Sequence, residues 1–382
     1  MVHESARSVN GQYLSLIGVT AAQVGLVFGI GEFLGYALRL VSGTLIDKTS
    51  KHWLFMFLGY GLLLTIPLIG FTQNWNFLAV LIIMERVGKA FRSPAKDTIL
   101  SGVAEDQIGL GYAFGIQEAL DQLGAFLGPL IFTAVFYLMG KSGIKEFQFG
   151  YKLLFIPFVL LMIFAMLVYR KFKVGNLSPA ENKPVDKVKL QPIFWIYSAF
   201  TLFTAFGLIN FGIIGYHLKV QSLVSDKLIP ILYAGAMAID ALVAIIIGKA
   251  YDKLKIKTEK KTGGILILIL LPILTIFLPF FTLSNSLSLI IVGMVIMGII
   301  LGAHETIMRS AIADLTPFHK RGIGFGVFNA FYGLALFGGS ALMGYLYDLS
   351  RIDLIIAVTA VSQIFAIILY FSIHRQIKRA EN

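Results

Sequence analysis

Gly43-Thr-Leu-Ile-Asp47-Lys48 ends one long apolar stretch, and Gly248-Lys-Ala-Tyr-Asp252-Lys253 ends another, 205 residues later. One match of this kind carries little weight, because glycine is common in the chain. Two further fragments recur in the same order. Arg92-Ser-Pro-Ala-Lys-Asp97 is echoed by Arg309-Ser-Ala-Ile-Ala-Asp314, and Gly111-Tyr-Ala-Phe-Gly115 by Gly322-Ile-Gly-Phe-Gly326. Three fragments in matching order mark a duplicated unit, with its copies related by an axis along the membrane normal.

The surroundings of these fragments establish the membrane. Of 382 residues 57% are apolar, 38 are glycine and only 14% are charged, against about 25% in an ordinary soluble domain. A soluble fold of this length needs more polar surface than the chain can supply. Runs of about 20 apolar residues, the length that spans a bilayer as a helix, fall at 23–46, 53–72, 76–95, 109–139, 149–169, 193–217, 228–251, 263–283, 286–309, 322–347 and 352–373. They are too long for strands and lack strict alternation. The expected fold is all-α and polytopic, with eleven full spans and a partial first helix. The longest polar connection, Arg170–Gln191, divides it into an N-terminal bundle (1–170), a cytoplasmic linker (171–192) and a C-terminal bundle (193–382).

The net charge of +11 is a topology signal. Lys48, Lys51, Lys89, Arg92, Lys96, Arg170, Lys171, Lys249, Lys253, Arg309, Arg321 and the tail Arg375–Arg379 sit at one set of helix ends. The turns at Thr72–Asn76 and Leu283–Ser288 carry no basic residue. Cytoplasmic loops collect Lys and Arg, so the first set and the C-terminus are expected inside a plasma or inner membrane. No soluble domain remains to present a nucleic-acid face. The repeat also makes the first half short: Ile193 to Asp252 is 59 residues, Met1 to Asp47 only 46. Val2–Ile17 therefore reads as the outer part of a first helix, through a late start codon, a shortened chain or a natural eleven-helix design.

At these residues the chain resembles the major facilitator superfamily of secondary transporters. Gly43-x-x-x-Asp47-Lys48-x-x-Lys51 is similar to that family's signature between its second and third helices. Arg86 is similar to the arginine of its fourth-helix motif, and Gly124-x-x-x-Gly128-Pro129 to its fifth-helix antiporter motif. Ser50 and His52 depart from the first motif, and Leu130–Thr133 lacks the paired glycines that follow the last. The resemblance implies two six-helix bundles around a central cavity. On physical grounds, a glycine lets helices approach closely and an aspartate at a helix end accepts hydrogen bonds from a neighbouring helix N-terminus. Gly43, Asp47, Lys48, Lys51, Arg86 and Arg92 are thus the expected gate of the first half. Gly248, Asp252, Lys253 and Arg309 are its counterpart in the second.

A carboxylate at membrane depth costs at least ~2.5–3.5 kcal/mol and is a functional candidate by default. Glu32 lies about 16 Å before Gly43 along a helix, and Asp240 lies inside its own span. Glu118 and Asp121 are three apart, on one helix face. Desolvation and mutual repulsion raise a carboxyl pKa, so that pair is the first candidate for carrying a proton. The alternative is a structural ion pair with Arg7, Arg39 or Arg86. Arg39 is the expected partner of Glu32, and Glu4 and Arg7 are read as one pair. Aligning the repeats sets Asn329 and Tyr332 opposite Glu118 and Asp121, and Asn210 either bridges helices or touches substrate.

The function expected is secondary active transport of a small solute, coupled to protons and leaning to export by antiport. Symport of a nutrient is the alternative, and a receptor or channel the rival from another class. No P-loop, no Gly-x-Ser-x-Gly elbow, no metal-spaced histidine pair and no cysteine occurs, so neither an enzyme nor a cofactor is expected. The expected partners are the solute, protons and lipid, with the protein a monomer. The buried acids lean toward a cationic or zwitterionic solute.

Overall fold

The computed structural model describes residues 1–49, 51–104, 110–172, 192–258, 267–315 and 321–379. No strand occurs among them. The helices are α1 Val2–Leu16, α2 Ala21–Thr49, α3 His52–Gly61, α4 Thr65–Leu68, α5 Trp75–Ala104, α6 Leu110–Met139, α7 Ile144–Leu153 and α8 Phe155–Phe172. In the second half they are α9 Pro192–Phe206, α10 Phe211–Val220, α11 Leu228–Thr258, α12 Leu270–Thr282, α13 Leu287–Leu315, α14 Arg321–Asp348 and α15 Ile352–Arg379. Backbone groups in lipid must be satisfied within the segment, which leaves the helix as the available form for such apolar runs.

Nine stretches among the described residues are long and apolar enough to cross a bilayer, against eleven expected. The difference has physical causes. α5 carries Glu85, Arg86, Lys89, Arg92 and Lys96 within one helix, and the described part of the 263–283 run, Ile267–Thr282, is short. Several runs are also broken. The run at 53–72 pauses in 3-10 turns at Leu62–Leu64 and Ile69–Phe71.

The break between α9 and α10 shows how a polar gap survives at membrane depth. Asn210 caps α10, its Oδ1 accepting from Ile213 N at 3.1 Å, while its Nδ2 donates to Ser340 Oγ at 2.9 Å. Side chains of α15 satisfy the carbonyls freed at the end of α9. Ser362 Oγ donates to Phe203 O at 2.6 Å, Gln363 Nε2 to Thr204 O at 3.2 Å, and Thr359 Oγ1 to Gly207 O at 3.1 Å. This is the compensation that irregular backbone in a membrane requires. Of the two readings of Asn210, the structure displays the bridging one.

Each half has its own apolar core. One gathers Val9, Tyr13, Leu78, Phe132, Phe136, Phe147 and Tyr151 from the first half. The other gathers Phe194, Tyr197, Phe211, Tyr233, Met294 and Met343 from the second. The halves meet chiefly where α2 lies along α14, α1 along α10 and α6 along α11. The α2–α14 approach is tight because it is built on small residues. A Cβ on Gly25 would collide with the Ser340 carbonyl, and one on Gly344 with that of Ala21.

Candidate functional site

α2 and α5 both start at the end poor in lysine and arginine, and Glu32 and Arg86 each lie eleven residues in. At 1.5 Å per residue both are about 16 Å deep, which sets them abreast. Arg86 Nη2 is 2.9 Å from Glu32 Oε1. Glu32 therefore pairs across helices with Arg86. Arg39, two turns further along α2, instead lays its guanidinium over the Tyr36 ring, 4.7 Å from the centroid.

Around that pair runs a network that sequence reasoning only partly reached. Glu85, 4% exposed, has Oε2 at 3.1 Å from His3 Nδ1 and 3.5 Å from Arg86 Nε, and Oε1 at 3.5 Å from Arg92 Nη2. Arg86 Nη1 lies 3.1 Å from His3 Nε2. A guanidinium can only donate, so His3 Nε2 accepts and Nδ1 carries the proton that Glu85 receives. The geometry fits a neutral imidazole of that tautomer. Arg92 thereby belongs to this network, with the Tyr60 ring 5.8 Å from its guanidinium carbon; the Asp47 side chain of its expected gate lies outside the described residues.

Glu4 does not pair with Arg7. Its Oε2 accepts from Tyr233 Oη at 2.6 Å and its Oε1 lies 3.5 Å from His3 Nε2. Tyr233 is on α11, so this bond joins the two halves at depth. Arg7 has no ion pair among the described residues, though Tyr233, Glu4, Glu32 and Tyr36 lie within electrostatic reach. Lys89 is likewise without an ion pair among the described residues, with Arg39, Arg86, Glu32 and Glu4 within electrostatic reach.

From the second half come His304 on α13 and Tyr332 on α14. Tyr332 Oη is 3.2 Å from His304 Nδ1, and the Tyr332 ring meets Tyr36 edge-on at 5.0 Å and stacks on Phe328 at 5.8 Å. Tyr332 thus lies at the contact between the halves, with Tyr36 as its partner. Asn329 is half-buried and makes no hydrogen bond among the described residues. Asp240 is 4% exposed, where α11 packs on α13 beside Gly302.

Of the acid pair of α6, only the Asp121 side chain is described. The Asp121 side chain is 62% exposed and 3.3 Å from Lys96 Nζ, so burial is not what acts on it. The side chains of Glu118, Asp47, Lys48, Asp252 and Arg309 lie outside the described residues. Lys51 and Lys253 are exposed. Nothing described lies within 4 Å of a Cβ built on Gly43, and one on Gly248 would meet only Thr306 Cγ2 at 3.5 Å. Among the described residues, no helix backbone approaches these two glycines closely.

The contacts that hold the halves together at their ends lie at the opposite, weakly basic side. Asp348, closing α14, accepts from Ala21 N at 2.7 Å through Oδ1 and from Ala22 N at 2.9 Å through Oδ2. A carboxylate thus caps the N-terminus of α2 from the other half, where free N–H groups and the helix dipole favour an anion. Asp226 adds a second tie, accepting from Ser142 Oγ at 2.5 Å and pairing with Lys219 Nζ at 2.6 Å. Asp348 escaped the sequence reading, yet Gly344-x-x-x-Asp348 repeats the spacing of Gly43-x-x-x-Asp47.

Comparison with known proteins agrees with this architecture. The Major Facilitator Superfamily profile matches residues 8–282 and 259–381. An uncharacterized protein of Mycobacterium tuberculosis is 35% identical over 379 residues, covering 98% of this chain and 89% of its own length. An uncharacterized MFS-type transporter of Methanocaldococcus jannaschii is 28% identical over 350 residues, covering 88% and 82%. Among solved structures, a variant of the nucleoside transporter NupG superposes with a TM-score of 0.73 at 10% identity, covering 98% of this chain and 96% of its own. A bacterial homologue of the human lysosomal transporter Spinster, inward-facing and unoccupied, gives 0.70 at 16% identity, with 98% and 93% covered. At such identities the structural likeness speaks for the fold alone. The profile and the 35% relative place the chain in a family: it belongs to the major facilitator superfamily, and is a secondary transporter of small molecules and not an enzyme.

Proposed function

We propose that the chain works as a monomer in the plasma or inner membrane and carries its solute by alternating access, driven by protons. Residues 1–170 and 193–382 rock as two units, with the basic helix ends and the C-terminus in the cytoplasm. The latched weakly basic end then makes this an inward-facing state. One observation carries the coupling: the 2.6 Å bond from Tyr233 Oη to Glu4 Oε2, which crosses between the units at depth. A hydroxyl donating to an ionised carboxylate makes a bond roughly twice as strong as a neutral one. A proton arriving on Glu4 weakens that tie, and its departure restores it. The same proton changes the field on Arg7 and Lys89, which lie within reach of Glu4.

Export by antiport rests on the likeness of Gly124-x-x-x-Gly128-Pro129 to the family's antiporter motif. In this chain the two glycines accommodate α1: a Cβ on Gly128 would lie 2.6 Å from Met1 O, and Ser5 Oγ donates to Gly128 O at 2.6 Å. Symport is the second reading, favoured by the unpaired bases Arg7 and Lys89, since a proton travelling with an anion moves little net charge. The test is reconstitution into liposomes holding a pH-sensitive dye, with amino acids, organic acids, sugars and amines offered outside. The wild type should move protons with one of these classes, and Glu4→Gln should exchange that solute without proton flux. Proton flux undiminished in Glu4→Gln refutes the assignment.

A further inference from the structure

Acids at depth suggested a cationic solute, but their pairing in the fold reverses that expectation. On α1, α2 and α5 the buried carboxylates are all engaged: Glu32 by Arg86, Glu85 by His3, Arg86 and Arg92, and Glu4 by Tyr233. Among the described side chains around this network, five bases (Arg7, Arg39, Arg86, Lys89, Arg92) face three acids, with His3 neutral in the tautomer its contacts require. Counting the described Asp240 across the interface still leaves one more base than acid in that group. Arg7, Arg39 and Lys89 are the bases without an ion pair among the described residues, and Arg39 Nε is buried with no hydrogen-bond partner. A buried donor left without a partner costs its desolvation, about 1–3 kcal/mol and more for a charged group. A ligand that accepts those hydrogen bonds recovers that cost.

A second feature lies at the same level. Tyr36, Arg39, Lys89, Tyr332 and His304 all sit about 21–27 Å from the weakly basic ends of their helices, past the middle of the membrane toward the basic ends. Tyr36 and Tyr332 meet edge-on across the interface between the halves, with Phe328 stacked behind. His304 is 4% exposed, and its Nε2 has no hydrogen-bond partner in the described structure while Nδ1 is used by Tyr332. This layer sets cations without an ion pair among the described residues beside aromatic faces, with the Arg39 guanidinium over the Tyr36 ring.

We infer that the transported solute is a small organic anion with an apolar body, its acid group held by Arg39 and Lys89 and its body against Tyr36 and Tyr332. The inference rests on the transporter reading of the same cavity and specifies its substrate class. A carboxylate accepts two donors from a guanidinium at once, and the aromatic faces favour a flat or aliphatic skeleton over a sugar. Both bundles contribute to this site, so an anion seated there bridges the units that rocking must move.

The test is a thermal-shift titration of the detergent-solubilised full chain with matched probes. Benzoate and hexanoate are compared with benzamide, benzylamine and hexylamine. The two carboxylates should raise the melting temperature saturably, and the amide and amines should not. Arg39→Gln and Lys89→Gln should each weaken carboxylate binding at least tenfold, with Arg39→Lys losing less than Arg39→Gln. If either glutamine variant fails to fold, the carboxylate-against-amine comparison on the wild type decides alone. Stabilisation by the amines, no shift with either carboxylate, or a carboxylate shift that survives both substitutions overturns the inference. Binding needs no flux, so failure here leaves the proton-flux test standing, and failure there leaves this one readable.

Discussion

Asp348→Ala should unlatch the weakly basic end of the transporter. The carboxylate makes two backbone hydrogen bonds to α2, at 2.7 and 2.9 Å. Replacing an N-cap acceptor costs about 0.5–2 kcal/mol, and losing an anion at a helix N-terminus about 0.3–1 kcal/mol. Asp348 is exposed, so the low half of each range applies and solvent screens part of the second. A total near 1.4 kcal/mol corresponds to about a tenfold change in the balance between states latched and open at this end. The chain has no cysteine, so one reporter thiol has no background. Ser340→Cys is a near-isosteric choice, 3% exposed at the α2–α14 seam. Its labelling by a membrane-impermeant maleimide should rise about tenfold in the Asp348→Ala background and less in Asp348→Asn, where an amide oxygen still accepts from one N–H. Equal labelling rates in all three backgrounds would refute the latch. A rise confined to detergent, absent in proteoliposomes, would do the same for its role in the membrane.

Glu32→Gln removes the charge that faces buried Arg86 at 2.9 Å and leaves it a neutral amide oxygen. It should lower stability by about 3 kcal/mol, the low end for breaking a buried pair, with Glu32→Gln/Arg86→Gln losing less in the same melting assay. Gly128→Val drives a side chain into Met1 and Ser5 and should cost several degrees of melting temperature. Gly43→Ala, with open space around its Cβ, should change stability by no more than ~0.5 kcal/mol. Asp121→Asn breaks only an exposed 3.3 Å pair with Lys96. It should cost less than about 1 kcal/mol and less still at high salt; a loss of 3 kcal/mol would show that Asp121 is buried by something the protein gathers around it.

Helix placement was read well where apolar length alone decides it: α2, α6, α11, α13, α14 and α15 each contain or nearly coincide with a span drawn from sequence. The 76–95 run likewise lies inside α5, which only its composition keeps from the count of apolar spans. Its charges lower hydropathy, because they serve a neighbouring helix instead of lipid. The candidate acids were found because any carboxylate at membrane depth stands out. Their partners were not: i+7 spacing pointed Glu32 to Arg39, while the shorter path ran sideways to Arg86 on α5. His3, Glu85 and Lys89 carried no pattern of their own, and Asp348 carried one that its place at the less basic end made easy to pass over.

Composition and periodicity determined that this chain spans a membrane as helices, because lipid leaves an unpaired backbone no other solvent. The repeat determined that it has two halves, because duplicated residues keep their order whatever they touch. Which charges neutralise one another was decided only by packing. Ion pairs and hydrogen bonds form over a few ångströms of space, and the hydrogen-bonded residues that close such a gap here, Glu4 with Tyr233 or Ala21 with Asp348, lie 229 and 327 positions apart along the chain.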